Sequence, residues 1–383
     1  MKKFIILMFF SALIGTQYKI IQGVTWADIF CVPLLIYVLS NLSIVRLNKD
    51  IIGKSTLVYS LILLLSGLVN RTITNTIFLN YTRIFIEGSV AYIALVISLS
   101  GVKELKWFKY SFYLYSILYL FLFESSLMTE VEIEGDFQTL DIMNGRNAMA
   151  VSNLLIIMML TFLMFTTKIK FEKFFFILYP FLIFNIFFSA SRFSVISLIF
   201  FGLFIIYWFL KRFSVRNVVL LLIAVAIIPS LVSYISSHVD SSVMDYSSEL
   251  LRDKITKNED GGVSFRINEM NFVVMKEWLN ETPVYKWLLG DGISITHGIF
   301  SFTLCSTGFI GLFYFIISNC KIVVSFWKKS AFDKYIAFVV FIFFFNDIVT
   351  NSRFIIGLNT LIYMGMLAYM CSYDKLVSSS TAC

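Results

Sequence analysis

Charge is scarce in this sequence. Lys, Arg, Asp and Glu make up 14% of its 383 residues, against about 25% in soluble domains. Apolar residues reach 58% and the mean hydropathy is +0.84, which together exclude a soluble globular protein. Proline is nearly absent, at four residues. Transporters often carry internal repeats and helices broken by Gly or Pro at mid-membrane; no matching halves are present here. His238 and His297 are the only histidines, and no CxxC occurs. Cys31, Cys305, Cys320 and Cys371 lie in or beside apolar runs, with Cys383 as the last residue. Neither a structural metal site nor a disulfide framework is expected, and no cofactor.

Apolar runs are what the chain has in plenty. A bilayer-crossing helix takes about 20 residues, so twelve would use roughly 240 and leave about 140 for loops and tails. No large soluble domain fits beside such a bundle. The uninterrupted runs exclude a transmembrane β-barrel, whose strands alternate. The net charge of +7 is no sign of nucleic-acid binding, because in a membrane chain the placement of basic residues matters more than their sum.

Twelve apolar segments lie near 4–22, 28–45, 55–71, 84–101, 109–127, 147–167, 174–190, 194–210, 217–236, 298–318, 332–350 and 354–371. Lys2-Lys3 followed by Phe4 to Ile14 resembles a signal peptide; without a small-x-small cleavage site after it, a retained first helix is expected. With Lys2 placed inside, 19 of the 31 Lys and Arg fall inside and 12 outside, six of these in one long loop, 237–297. Long loops escape the charge rule, so the short loops divide 19 to six, with both termini cytoplasmic. The outside six include five arginines: Arg71, Arg83, Arg146, Arg192 and Arg353. Topology needs positive charge of either kind. Arginine's planar fork additionally suits bidentate capture of phosphate. Two readings follow: convergence on one anionic headgroup, or interfacial snorkelling with carboxylate partners. Arg83 and Glu87, four apart on one helix face, fit the second.

The long outer loop has a polar first half and a second half with helical period. Ser264 can cap a helix, and Pro283 lies just past its end near Glu281. Ile267, Met270, Val274 and Trp278 share one face of that helix; Arg266, Glu269, Lys276 and Glu277 gather on another. Such a helix lies at a membrane surface or packs on the bundle. Leu289-Gly290-Asp291-Gly292 follows, with two glycines that let backbone approach a ligand. His297 stands at the mouth of the tenth helix, where it can exchange a proton or serve as an ordinary polar boundary residue.

These residues resemble a family, the O-antigen polymerase (Wzy-type) and O-antigen ligase superfamily of bacterial inner-membrane glycosyltransferases. Ser189-Ala190-Ser191-Arg192 is similar to the family's S-x-S-R. Phe265-Arg266 leads the amphipathic stretch to Leu289-Gly290-Asp291-Gly292. His297 precedes Thr307-Gly308-Phe309-Ile310-Gly311, similar to the family's histidine followed by G-x-x-G. Asn144-Gly145-Arg146-Asn147-Ala148 resembles its Asn-bearing helix entry. The topology matches over the whole chain, the motifs over 144–311. One departure is Gly298, where the family often has Asn after the histidine.

The resemblance implies an all-α, GT-C-like polytopic bundle of about twelve transmembrane helices in one domain, in the bacterial inner membrane. It implies metal-independent glycosyl transfer on the periplasmic side. Arg192 and Arg266 would bind undecaprenyl diphosphate and His297 would act at the acceptor hydroxyl. Arg71, Arg83, Arg146, Asn147, Ser191, Gly290, Gly292 and Arg353 are the further substrate-binding candidates. The acidic stretch Glu124 to Asp141 holds sugars or forms a solvated cap. The expected partners are an undecaprenyl-diphosphate-linked oligosaccharide, membrane lipid and a chain-length regulator protein, with no nucleic acid. The favoured activity is a repeat-unit polymerase; the alternatives are the ligase acting on lipid A core and a flippase for the same lipid-linked sugar.

Overall fold

The computed structural model describes residues 1–16, 18–21, 24–42, 50–72, 76–130, 145–166, 171–188, 192–211, 268–292, 299–328, 331–350 and 357–381. The chain forms two compact units, Met1–Leu114 with Gly261–Cys383, and Tyr115–Asp260. The two candidate motifs rich in glycine belong to the first.

Helix α1 (Lys2–Gly15) is 14 residues long, about 21 Å, short of a bilayer core of about 30 Å. The sequence predicts one segment over 4–22. Instead the helix stops at Gly15, where a Cβ would stand 2.8 Å from the backbone N of Ala27. Lys19–Ile21 (β1) then pairs antiparallel with Val24–Thr25 (β2). Ile20, Ile21, Val24 and Thr25 are β-branched, which favours extended backbone. This small hairpin is a departure from an all-α fold. It leads into α2 (Trp26–Asn41), whose first turn is closed when the Thr25 N–H donates to Asp28 Oδ2 at 2.6 Å.

The rest of the first unit is helical: α3 (Ile51–Val69), α4 (Thr76–Ser98) and α5 (Val102–Glu130), which runs on into the second unit. Asp50 starts α3 by accepting from the Ile52 and Gly53 N–H groups at 3.2 Å each, and Tyr92 on α4 donates to the same carboxylate at 3.0 Å. The second unit contains α6 (Gly145–Thr166), a 3₁₀ segment Phe171–Ile177, α7 (Leu178–Phe188) and α8 (Arg192–Lys211). Pro180 explains the late start of α7. It has no N–H and its ring clashes with the carbonyl four residues back, so it is accepted only in the first turn.

After residue 267 come a π-helical turn Asn268–Val273, α9 (Val274–Glu281), α10 (Ile299–Trp327), α11 (Ala331–Thr350) and α12 (Gly357–Thr381). Eleven of the twelve predicted segments overlap described helices; the one near 217–236 lies outside the described residues. Among the described residues, Ile51–Val69, Met149–Thr166 and Ile299–Trp327 are long and apolar enough to cross a membrane. Among the described residues the chain is predominantly helical.

In the first unit α10 packs on α3 and α11, and α12 on α4. Thr360 of α12 rests on Gly88 of α4, where a Cβ would collide with it. Lipid is as apolar as leucine, so helices in a bilayer gain from such close packing more than from burial as such. The Tyr59 ring lies 4.9 Å from that of Phe85 and 5.4 Å from that of Phe315. With Leu63, Ile299 and Phe302 these rings form a buried cluster that ties α3 and α4 to α10.

Candidate functional site

Helix α10 is broken at Gly308, which has φ 65° and ψ −166°. An unbroken helix would bond the Phe309 N–H to the Cys305 carbonyl and the Ile310 N–H to the Ser306 carbonyl. The break frees all four groups in an apolar setting, where each one left unsatisfied costs several kcal/mol. The segment before the helix satisfies them. Phe309 N–H donates to the Trp287 carbonyl at 2.8 Å and Ile310 N–H to the Leu288 carbonyl at 3.2 Å. Asp291 N–H donates to the Cys305 carbonyl at 2.7 Å. The Ser66 hydroxyl of α3 lies between the carbonyls of Ser306, at 2.5 Å, and Leu289, at 2.6 Å.

Two glycines make this dock possible. Gly308 lies so close to the Leu288 backbone that a Cβ would overlap it, and at Gly290, with φ 73°, a Cβ would stand 2.6 Å from the Cys305 oxygen. The motifs Leu289-Gly290-Asp291-Gly292 and Thr307-Gly308-Phe309-Ile310-Gly311, quoted separately from the sequence, are therefore two halves of one contact.

A third strand of chain closes over it. Asn70 donates from Nδ2 to the Gly290 carbonyl at 2.8 Å, and Thr72 donates from its hydroxyl to the Gly292 carbonyl at 3.4 Å. Between them stands Arg71, with φ 56°. Its N–H donates to the Leu68 carbonyl at 3.3 Å and the Thr72 N–H to the Gly67 carbonyl at 3.0 Å. These two bonds define a Schellman end to α3, in which the left-handed residue is usually glycine. An L-residue there is disfavoured by roughly 1 kcal/mol. Arg71 is exposed.

Asp291 is held from two sides. The Trp278 indole N–H donates to Oδ2 at 2.6 Å and the Lys286 ammonium lies 2.8 Å from Oδ1. Accepting from Lys286, the carboxylate holds that ammonium above its usual range. The amphipathic stretch is thus fastened to the dock through Trp278. Its wheel is not one continuous α-helix, because the wider π turn over Asn268–Val273 breaks the 3.6 period. Asn271, fully buried, accepts from the Phe300 N–H at 3.0 Å and so starts α10. In α9, Lys276, Glu277, Asn280 and Glu281 are exposed while Trp278 and Leu279 are half-buried.

The structure therefore brings Arg71, Gly290 and Gly292 together. It gives Arg83 the carboxylate partners of the snorkelling reading: Nε lies 3.1 Å from Asp28 and 3.8 Å from Glu87. Arg146 and Asn147 lie in the first turn of α6 and Arg192 opens α8, but their side chains are outside the described residues, as are Ser191, Arg266, His297 and Arg353 and the acidic residues 131–141. Among the described residues no three His, Cys, Asp or Glu side chains cluster as a metal site would require.

Sequence reasoning missed Ser66, Asn70 and Thr72, whose signal was polar residues at the end of an apolar helix. It also missed Asn346 and Asp347 of α11 and Asn359 of α12, all fully buried, and Thr360, at 1% exposure. A carboxylate inside an apolar helix is costly and marks function more often than not. Against known protein families and curated proteins, the chain matches no family model and no curated sequence.

Proposed function

We propose that the protein is a surface-polysaccharide repeat-unit polymerase of the bacterial inner membrane, with twelve spans and both termini cytoplasmic. It transfers the growing glycan from undecaprenyl diphosphate to the terminal sugar of another lipid-linked unit, on the extracytoplasmic side. The observation that carries this reading is the meeting of the two glycine motifs in one docked element, with Arg71 at its rim. Both motifs are features shared with the O-antigen polymerase and ligase superfamily.

In the reaction, an acceptor hydroxyl oxygen bonds to the anomeric carbon of the donor. The bond from that carbon to the diphosphate oxygen breaks, and its electron pair leaves with the lipid diphosphate. His297 takes the hydroxyl proton. Arg192 and Arg266 hold the diphosphate, where fixed guanidiniums stabilise the charge that develops on the leaving group. Gly290 and Gly308 set the backbone from which the chain runs to His297, seven residues after Gly290. A chain-length regulator is the expected protein partner.

A flippase reading draws on the broken α10, since discontinuous helices line many transport sites. Four of the backbone groups that such a break offers to a substrate are occupied here by residues 287–291 and Ser66, which favours the enzyme. The test is Arg192→Ala, which removes long-chain glycan at unchanged protein level, with Arg192→Lys less severe. An undiminished glycan ladder rejects the role. Deletion of the protein separates polymerase from ligase. One repeat unit on the core marks the loss of a polymerase, and a bare core with accumulated lipid-linked polymer marks the loss of a ligase.

A further inference from the structure

Helix α10 changes its surface at the break. Before Gly308, Ile299 and residues 301–307 are all buried. Phe300 and Phe315 both lie against the Phe344 ring, at 6.2 and 5.8 Å, whereas a straight helix would set residues at that spacing about 22 Å apart along its axis. The first half therefore folds back beside the second. What can cross a bilayer is Phe309–Trp327, about 28 Å long and close to the thickness of the hydrocarbon core. Over this half Ile310, Phe313, Ile317, Val324 and Trp327 are exposed at helical spacing. An apolar stripe of that length on a crossing helix is covered by lipid. Its end at Ile310 marks the depth at which the helix leaves the hydrocarbon.

The turn that docks on the break sits at that depth. The Ile310 N–H donates to the Leu288 carbonyl at 3.2 Å, and the Trp287 ring lies 6.4 Å from that of Phe309. Val284, Tyr285 and Leu288 are 69%, 76% and 59% exposed. The one charged side chain of the turn, Lys286, is paired with Asp291, and the Trp287 indole N–H donates to the Thr282 carbonyl at 3.0 Å. On α9, by contrast, the exposed side chains are Lys276, Glu277, Asn280 and Glu281, a surface for water.

We propose that the turn 284–288 is a membrane anchor: Val284, Tyr285 and Leu288 insert among the lipids where α10 leaves the bilayer, and hold the docked glycine loop at that depth. The occupant is lipid because the patch is continuous, through the bond between Leu288 and Ile310, with the lipid-facing stripe of α10. Since the turn's one charge is already paired, the contact is with the apolar part of the leaflet and makes no demand on the headgroup. The membrane contact expected of the amphipathic stretch belongs to the turn that follows it. This anchor needs α10 to cross a membrane; it does not depend on the proposed activity.

The test places single nitroxide labels on the full-length protein in nanodiscs. Cys320, which is exposed, and Cys383 are replaced by serine; Cys31, Cys305 and Cys371 are buried. Labelled cysteines then replace Tyr285, Leu288, Phe313 as the lipid reference and Asn280 as the water reference, with thermal unfolding recorded for each. Oxygen concentrates in hydrocarbon, while a nickel chelate stays in water. The logarithm of the oxygen-to-nickel accessibility ratio is expected to be positive at 285, 288 and 313 and negative at 280. It should keep those signs in nanodiscs of phosphatidylcholine and of phosphatidylglycerol alike. Negative values at 285 and 288 put the turn in water and overturn the anchor. Labels there that are sheltered from both reagents are covered by protein, a second copy or another chain, and overturn lipid as the occupant. A positive sign in phosphatidylglycerol alone overturns the apolar contact in favour of a charged one. A negative value at 313 removes the crossing of α10 and the anchor with it, an outcome distinct from failure at 285 and 288 alone.

Discussion

At the scale of single residues, two side chains near the dock allow opposite kinds of test. Lys286 lies against Asp291 and its ammonium is held above the usual 10.5. A raised pKa in the folded state means that the pair contributes in full below the unfolded value and is lost as pH rises through the folded one. Stability should therefore show no titration from this pair between about pH 6 and 9. The deficit of Lys286→Met, at most about 1 kcal/mol for a partly exposed pair, should hold across that range and shrink in strong alkali. A deficit that instead shrinks on acidification to about pH 6 would assign the effect to some other group. His297 allows a functional test. His297→Ala is expected to abolish turnover while leaving the lipid-linked donor bound, since its proposed task is at the acceptor hydroxyl. Lost binding with a normal residual rate contradicts that task.

At the scale of elements, the docked segment 286–292 and the break in α10 form one cooperative unit. Four backbone groups released at Gly308 are taken up by Trp287, Leu288, Asp291 and Ser66, so a change that opens one bond loosens the others. Gly308→Ala and Gly290→Ala each place a Cβ against the partner backbone at positive φ. Each is expected to lower stability by about 2 kcal/mol or more. Because both undo the same contact, the double variant should lose clearly less than the sum; full additivity in thermal or denaturant unfolding would mean that the two glycines act separately. Ser66→Ala, which deprives the Ser306 carbonyl of its donor, is the milder probe at about 1–3 kcal/mol. Much of this unit was legible in the sequence. Gly-Asp-Gly stands out in the order of the residues, Gly-x-x-Gly came from the resemblance, and Pro283 marked the end of the preceding helix, which closes with the Thr282 N–H on the Trp278 carbonyl. Their joining was not legible, because backbone-to-backbone bonds across 14 to 22 residues leave no side-chain pattern. The π turn at Asn268–Val273 was hidden for a related reason: an inserted residue shifts a helical wheel without changing its composition. The hairpin at Lys19–Thr25 was masked by its own hydrophobicity, since Ile20 and Ile21 continue the apolar run of α1.

At the scale of the whole molecule, the topology proposed from charge placement gives inside loops rich in lysine and short outside loops rich in arginine. The proposed topology puts the 286–292 dock and Arg71 on one side of the membrane. The structure supplies a geometric counterpart within the first unit. Asn70 and Thr72 at the end of α3 meet residues 290–292, whereas Asp50 at its beginning meets Tyr92. A helix of 19 residues separates the two ends, about 28 Å and close to the thickness of a bilayer core. Reporter fusions check the orientation. Alkaline phosphatase, which folds only outside the cytoplasm because it needs disulfides, should be active when fused after Glu281 and inactive when fused after Lys329. A green fluorescent fusion at the C-terminal end should be bright. Activity after Lys329 with silence after Glu281 would turn the molecule over, placing the dock and its arginine in the cytoplasm. A polymerase that uses extracytoplasmic lipid-linked units could not then work through this site, however well the glycines fit.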